Sequence, residues 1–211
     1  MLTPSDEGPD GGKVGYLGQP ERYRGGDTEL FDALGDLVRA GRRSVKAVEQ
    51  AELLPGASFL SPVVSDRADQ RRELFEQLQR QAPEDALVFF DPDNGFEVKS
   101  KPRGRRYSSK YVFWDEIEAT AQPGRSVVIY QHYSRTPRDL MVAGLIAELE
   151  RRLPGHRAFA LRSPHVAYLV AARADEATRL AEATASFARR WPGGLAKQPN
   201  GPAPDSARSH P

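Results

Sequence analysis

Polar side chains that could carry chemistry follow two short apolar runs of this chain. The runs cover residues 87–90 and 127–130, with a tyrosine closing the second, and the polar residues after them are Asp91, Asp93, Asn94, Gln131 and His132. A bounded apolar run of this length is typical of a buried strand in a parallel sheet. In open α/β sheets, ligands bind beyond the carboxyl ends of such strands. The sequence therefore predicts that these side chains face one crevice.

Carboxylate, amide and imidazole groups at strand ends suit the binding of an amine. An Asp-Pro turn in this position points carboxylate and carbonyl oxygens at a bound amine or metal, and His132 could act as a base, a ligand or a hydrogen-bond donor. The candidate catalytic residues are Asp91, Asp93, Asn94 and His132. A purely structural alternative stays open, because Asn94-Gly95 favours positive φ and could simply close a hairpin.

A Mg²⁺-dependent nuclease is a second alternative. It would use Asp91, Asp93, Glu97 and Lys99, since two acids with a D…ExK pattern bind Mg²⁺ and activate water. In such nucleases the acids normally sit on separate strands of a longer hairpin, whereas here only three residues separate Asp93 from Glu97. The other histidines lie far from His132 in sequence, so a histidine-based metal site is not indicated and no metal ligand is assigned.

A basic run follows the first apolar run. Residues 99–110 contain six Lys or Arg residues and no acid, and aromatic residues lie among and just after them. This composition is typical of surfaces that stack bases and follow phosphates, although a solvated loop with partly buried aromatics would look the same. RNA or DNA is therefore a candidate partner. The candidate substrate-binding residues are Lys99, Lys101, Arg103, Lys110, Tyr111, Trp114, Gln131 and Arg135.

The composition is that of an ordinary globular protein. The chain has 211 residues, 39% of them hydrophobic, and a formal net charge of +1, so no global field attracts it to nucleic acid. No apolar segment approaches the ~20 residues that a membrane helix needs, and a membrane partner is not expected. The chain has no cysteine, which excludes disulfides and thiol nucleophiles and fits a cytoplasmic location.

The hydrophobic pattern predicts one domain of alternating strands and helices. The domain covers residues 27–191, between a Gly- and Pro-rich loop over 1–26 and a disordered tail over 192–211. A helix after Ser65 is expected to keep Arg71 in solvent. The link between the last two predicted strands is too short for a crossover helix, so these strands must be antiparallel neighbours. The later strands and helices are predicted at 86–90, 114–121, 126–130, 137–153, 158–161, 166–171 and 175–190.

This order of elements resembles the C-terminal half of the Rossmann-like, S-adenosylmethionine-dependent methyltransferases. In that family an Asp/Asn-Pro-Pro-Tyr/Phe motif ends the fourth strand and holds the exocyclic amine of the base being methylated. The sequence Asp-Pro-Asp-Asn at 91–94 stands where that motif would. Among characterised members, the chain is most similar to the adenine-N6 methyltransferases of large-subunit ribosomal RNA.

The chain also resembles an uncharacterised bacterial family, over most of residues 1–175. The shared phrases are Phe-Phe-Asp-Pro-Asp-Asn-Gly at 89–95, Lys-Tyr-x-x-Trp-Asp-Glu at 110–116 and Tyr-Gln-His-x-x-Arg at 130–135. This second resemblance is the more specific one, but it implies no established activity.

Together the pattern and the resemblances imply an α/β, Rossmann-like three-layer α/β/α sandwich. Its mostly parallel sheet would be closed by a C-terminal antiparallel hairpin and would lack the usual first strand. The implied function is S-adenosylmethionine-dependent N-methylation of a nucleobase. Asp91 and Asn94 would orient the amine, Gln131 and His132 would form the neighbouring wall, and the basic run would hold phosphate. A non-catalytic member of the fold that binds a nucleotide or a partner remains an alternative.

Two departures from the methyltransferase pattern bear on the cofactor. The motif lacks the aromatic residue that stacks on the flipped base, since Asn94 stands in its place. The Gly-x-Gly cofactor loop is not visible, so no residue is assigned to S-adenosylmethionine. The resemblance to the uncharacterised bacterial family implies that its members continue upstream of Met1, and this chain is expected to lack part of the cofactor pocket.

Overall fold

The computed structural model describes residues 14–122, 124–191 and 196–198. The first half of the predicted N-terminal loop and most of the predicted disordered tail lie outside the described residues. Within the described part, residues 196–198 form a short strand where the sequence predicts disorder.

A mixed sheet forms the centre of the molecule. The strands are β1 (Leu87–Phe90), β2 (Gly95–Phe96), β3 (Tyr111–Val112), β4 (Ser126–His132), β5 (His156–Arg162), β6 (Val166–Arg173) and β7 (Ala196–Gln198). The main sheet has the order β1-β4-β6-β5-β7, while β2 and β3 form a separate parallel pair. This mixed α/β architecture agrees with the predicted fold class at that level.

Within the main sheet only β1 and β4 are parallel neighbours. The pairs β4–β6, β6–β5 and β5–β7 are all antiparallel. The predicted C-terminal hairpin is thus confirmed, but the prediction of a mostly parallel sheet is wrong. The reason is that β6, the returning strand of the hairpin, inserts between β4 and β5 and makes both of its ladders antiparallel.

Two helices begin at a polar residue whose side chain caps them. Asp27 accepts a hydrogen bond from the Leu30 N–H at the start of the helix Thr28–Arg39, and Ser44 accepts one from the Ala47 N–H at the start of the helix Val45–Gln50. A one-turn helix, α1, stands where the sequence predicts loop. The helices are α1 (Pro20–Tyr23), α2 (Thr28–Arg39), α3 (Val45–Gln50), α4 (Ala68–Gln81), α5 (Trp114–Ala121), α6 (Arg138–Arg152) and α7 (Ala177–Arg190).

Helices pack on both faces of the sheet, but unequally. On the first face α4, α5 and α6 cover a core that includes Phe90, Ile129 and Leu169. On the second face α7 packs over β5 and β6, around Phe159 and Val170. Within the described ranges, no helix is long and apolar enough to cross a bilayer.

Among the residues that the structure describes, no helix covers the second face at β1, and β1 is an edge strand of the sheet. The side chains of Leu87 and Phe89 are 51% and 52% exposed there, whereas the first-face residue Phe90 is only 1% exposed. Successive side chains of a strand point to opposite faces, so a single strand contributes both to the closed core and to the open surface.

Candidate functional site

Five side chains gather on the open second face at the carboxyl ends of β1 and β4. Because Phe90 and Ile129 belong to the first-face core, strand alternation turns their neighbours to the second face. The register pairs Tyr130 with Tyr168 and His132 with Val166. We call the group the Asp91 cluster; its members are Phe89, Asp91, Tyr130, His132 and Tyr168.

Aromatic contacts organise the Asp91 cluster. The Tyr130 and Tyr168 rings meet edge to face with centroids 5.7 Å apart, and Phe89 lies 6.4 Å from Tyr168. The Tyr130 hydroxyl and His132 Nε2 are 3.1 Å apart, within hydrogen-bond distance. Edge-to-face pairs of this kind fix ring orientation. The cluster therefore presents ordered aromatic rings beside a carboxylate.

The electrostatics of the Asp91 cluster favour neutral phenols and a basic carboxylate. Desolvation raises the pKa of Asp91 above its ordinary value, although the side chain reaches solvent, and the nearby Asp93 carboxylate adds to the rise. Desolvation also raises the pKa values of Tyr130 and Tyr168, and Asp91 contributes to both shifts. Both phenols thus keep their protons at neutral pH and can donate hydrogen bonds.

Gln131 lies on the other face, away from the Asp91 cluster. Its side-chain oxygen accepts the Phe96 N–H at 2.9 Å, and its amide nitrogen donates to the Asn94 carbonyl at 3.3 Å. Gly95, at φ +107°, lies so close that an added Cβ would come within 2.2 Å of Gln131 Oε1. Gln131 therefore holds the loop after β1 in place instead of sharing the crevice predicted for it.

A buried ion pair holds the long loop between β2 and α5 in place. Arg71 and Glu116 are 1% and 7% exposed, and Arg71 donates from Nη2 to Glu116 Oε2 at 2.8 Å. The same guanidinium donates to the Tyr111 carbonyl at 2.7 Å. The prediction that Arg71 stays in solvent is wrong, because the loop folds back over α4 and its carbonyls satisfy the remaining guanidinium donors.

Asp66 fastens the same loop at a second point. Its carboxylate accepts the N–H groups of Tyr107 and Ser109, each at 2.7 Å. Desolvation alone would raise the pKa of Asp66, but the backbone hydrogen bonds from Ser109 and Tyr107 hold it below its ordinary value. Tyr107 is thereby held in the left-handed region at φ +68°.

Three cations surround the Tyr107 ring, which is 39% exposed. Arg106 Cζ lies 4.6 Å from the ring centroid, Lys101 Nζ 5.5 Å and Lys110 Nζ 5.7 Å. We call these four residues the Tyr107 patch. Lys110 also joins the patch to the loop after β1, since its Nζ lies 3.6 Å from Asp93 Oδ2 and its carbonyl accepts the Asn94 N–H.

Other predicted substrate-binding residues have structural partners. Arg103 pairs with Asp115 and lies over the Phe113 ring. Trp114 packs against Phe96 with ring centroids 4.6 Å apart, and its backbone N–H donates to the Glu97 carboxylate. Tyr111 is half-buried in β3, whereas Lys99 and Arg135 are exposed.

The residues of the nuclease hypothesis are not gathered in one place. Asp91 belongs to the Asp91 cluster, and Asp93 pairs with Lys110. The Glu97 carboxylate instead accepts the Trp114 backbone N–H. Among the residues that the structure describes, no group of three or more His, Asp or Glu side chains could hold a metal ion.

Sequence reasoning missed the aromatic members of the Asp91 cluster. Phe89 and Tyr130 lie within the two apolar runs, which the sequence pattern predicts to be buried strands, and Tyr168 lies in the closing hairpin. The available signal was the period of two along β4, which places Tyr130 and His132 on the same face. Tyr168 carried no comparable signal, because its place opposite Tyr130 depends on the insertion of β6 beside β4.

Comparisons with known proteins add no further guide to the site. A scan of protein-family models, a search of curated proteins and a search of solved structures each found no match to this chain. Function must therefore be inferred from the chemistry of the Asp91 cluster and the loop that follows it.

Proposed function

We propose that this protein is a Rossmann-like, S-adenosylmethionine-dependent methyltransferase that methylates an amine of a nucleobase in nucleic acid. One observation carries the proposal. A carboxylate with a raised pKa, Asp91, stands at the carboxyl end of the parallel pair β1–β4 and beside the edge-to-face rings of Tyr130 and Tyr168. Ligands of open α/β sheets bind at such strand ends.

The strand arrangement supports the proposed fold. Parallel strands β1 and β4 are followed by the antiparallel hairpin β5–β6, with helices on both faces. This is the order that the resemblance implies for the second half of a three-layer methyltransferase sandwich. In the described sheet β1 is an edge strand. We expect an edge there if the chain lacks the usual first strand of the methyltransferase fold.

Asp91 and its neighbours would do the work of positioning. The Asp91 carboxylate would accept a hydrogen bond from the exocyclic amine, with Asn94 close by along the turn. Methyl transfer to nitrogen needs an oriented lone pair and the loss of one proton. His132, whose Nε2 meets the Tyr130 hydroxyl, is placed on the same face to receive that proton.

Aromatic rings would replace the one missing from the Asp-Pro-Asp-Asn motif. In the family that the chain resembles, an aromatic at the motif's end stacks on the base, and here that position is Asn94. Phe89, Tyr130 and Tyr168 border Asp91 instead and offer faces for the base. Phosphates would be held by cations of the basic run, among them the exposed Lys99 and the half-buried Lys101.

The residues present fit the cofactor in part. S-adenosylmethionine supplies an activated methyl group on a sulfonium, a cation that aromatic faces and a carboxylate attract. Phe89, Tyr130, Tyr168 and Asp91 are groups of this kind on the open second face. The sulfonium would lie against the same rings and carboxylate that border the base amine, and the proposal assigns no residue to the adenosine.

Calorimetric titration with S-adenosylmethionine and its demethylated product tests this proposal. We expect micromolar binding to the chain and at least tenfold weaker binding to Tyr130→Ala. As a matched control, the exposed Tyr107→Phe should bind both ligands as the wild type does. If the folded wild-type protein binds neither ligand, the methyltransferase proposal is wrong.

A further inference from the structure

Tyr107 is held in a conformation that its own chemistry disfavours. A bulky residue at φ +68° is an outlier, because only glycine and a few small polar residues adopt the left-handed region with little steric strain. Such strain persists where surrounding contacts impose it, and it concentrates at ligand-binding positions. Here the Asp66 carboxylate imposes it through the backbone N–H groups of Tyr107 and Ser109.

The strain places an aromatic ring at the surface among cations. Lys101, Arg106 and Lys110 all lie within 5.7 Å of the ring centroid. Lys110 has Asp93 as a partner, but among the described residues Lys101 and Arg106 form no ion pair with an acid. Three cations around one ring make this part of the surface locally positive, and a positive surface attracts an anion such as a phosphate.

We infer that Tyr107 is a base-stacking position for single-stranded nucleic acid, with Lys101, Arg106 and Lys110 as its phosphate contacts. The inference deepens the proposed function, on which it rests for the class of partner. A ring that projects from a surface loop can stack only on a base whose face is open. In a duplex both faces of an interior base are covered, so the patch selects unpaired strands.

The Tyr107 patch adjoins the loop that carries the Asp91 cluster's turn. Lys110 contacts Asp93 through its side chain and Asn94 through its carbonyl. Gly95 and Tyr111 are register partners in the β2–β3 pair, which keeps the two loops side by side. A strand stacked on Tyr107 is therefore held next to the turn at which the base amine would be methylated.

Fluorescence anisotropy with labelled oligonucleotides tests the inference on the full chain. The probes are a single-stranded RNA of mixed sequence, the same sequence as DNA, and the corresponding duplexes. We expect the single strands to bind at least tenfold more tightly than the duplexes. Tyr107→Asn removes the ring but tolerates positive φ, and it should weaken binding about tenfold. Tyr107→Phe keeps the stacking face and should bind within twofold of the wild type.

Salt dependence tests the phosphate contacts separately. Lys101→Gln should reduce the slope of log K against log salt by about 0.7, the value for one lost contact to a single strand. Arg179→Gln, on α7, removes an exposed charge elsewhere and should leave the slope unchanged. A slope unaffected by Lys101→Gln, or affected equally by Arg179→Gln, would contradict the assignment.

The outcomes separate this inference from the proposed function. Equal affinity for duplexes, unchanged binding by a folded Tyr107→Asn, or a large loss in Tyr107→Phe would each overturn the stacking role. Tyr107→Asn should still bind S-adenosylmethionine as the wild type does. Cofactor binding together with unchanged oligonucleotide binding by Tyr107→Asn would therefore reject the stacking role alone. Oligonucleotide binding that depends on Tyr107, without cofactor binding, would reject the methyltransferase proposal alone.

Discussion

The two faces of the central sheet use polar residues in opposite ways. On the first face, Gln131, Arg71 and Glu116 are buried. Arg71 donates to Glu116, and Gln131 accepts a hydrogen bond from the loop backbone. On the second face, Asp91 and His132 are exposed beside rings that α7 does not cover. Gln131 and His132 are consecutive residues of one strand, so a single step along β4 separates the two roles.

The difference distinguishes residues that fold the molecule from residues that remain available to a ligand. A buried polar group must find its partners within the protein, and once it has them it has little left to offer a substrate. The polar groups of the second face retain capacity for further bonds. Variants of the first face should therefore affect stability, and variants of the second face should affect binding.

The largest loss of stability is expected from breaking the buried ion pair. Glu116→Gln leaves the Arg71 guanidinium charged and without a counter-charge in the core, at a cost of about 3–5 kcal/mol. Urea unfolding would measure it. If this variant does not fold, the double variant Arg71→Met/Glu116→Leu removes both charges and should recover a folded protein.

The matched control for that pair is Glu148→Gln, in a partly exposed ion-pair group on α6. Its partner Arg151 is exposed and Arg152 is half-buried, so the loss of stability in urea unfolding should be small, well below that of Glu116→Gln. An equal effect of Glu116→Gln and Glu148→Gln would contradict the structural role of the buried pair.

Truncating an apolar side chain should cost more stability on the first face than on the second. The difference should be smaller than that between the two ion-pair variants. Ile129→Ala removes a side chain with 0% exposure and should cost about 2–5 kcal/mol. Phe89→Ala removes one that is 52% exposed and should cost about 1 kcal/mol or less. Equal losses in urea unfolding would show that the second face is covered at β1 in solution.

A smaller effect is expected at the Gly95–Gln131 contact. Gly95→Ala adds a Cβ 2.2 Å from Gln131 Oε1 at φ +107°, and we expect a loss of about 1–3 kcal/mol. Gly56→Ala is the control, because it has a similar positive φ of +77° but no neighbour within 4 Å. The difference between the two variants in urea unfolding isolates the contact with Gln131. If Gly56→Ala costs as much as Gly95→Ala, the close approach to Gln131 is not important.

The smallest effect is a pH-dependent one at Asp66. Because its folded-state pKa is lowered, Asp66 stabilises the folded protein above its ordinary pKa and loses this contribution as pH falls through the folded-state value. Asp66→Asn should therefore be less stable than the wild type at neutral pH. The difference should shrink below about pH 4. A difference in thermal midpoint that stays constant from pH 7 to pH 3 would contradict this.

Local sequence determined where most elements begin and end. The helix Trp114–Ala121 has the predicted bounds, and Asp27 and Ser44 cap the helices that follow them. The antiparallel hairpin followed from a link too short for any crossover. These features depend on neighbouring residues in the chain, so turn chemistry and hydrophobic period are sufficient to predict them.

Long-range pairing decided the rest. The position of β6 between β4 and β5 puts Tyr168 opposite Tyr130, and the fold of the basic loop over α4 buries Arg71. The sequence alone predicts chemistry at the ends of β1 and β4, because polar residues interrupt apolar runs there. Only the tertiary structure could divide those polar residues between the two faces, since their roles depend on contacts with segments distant along the chain.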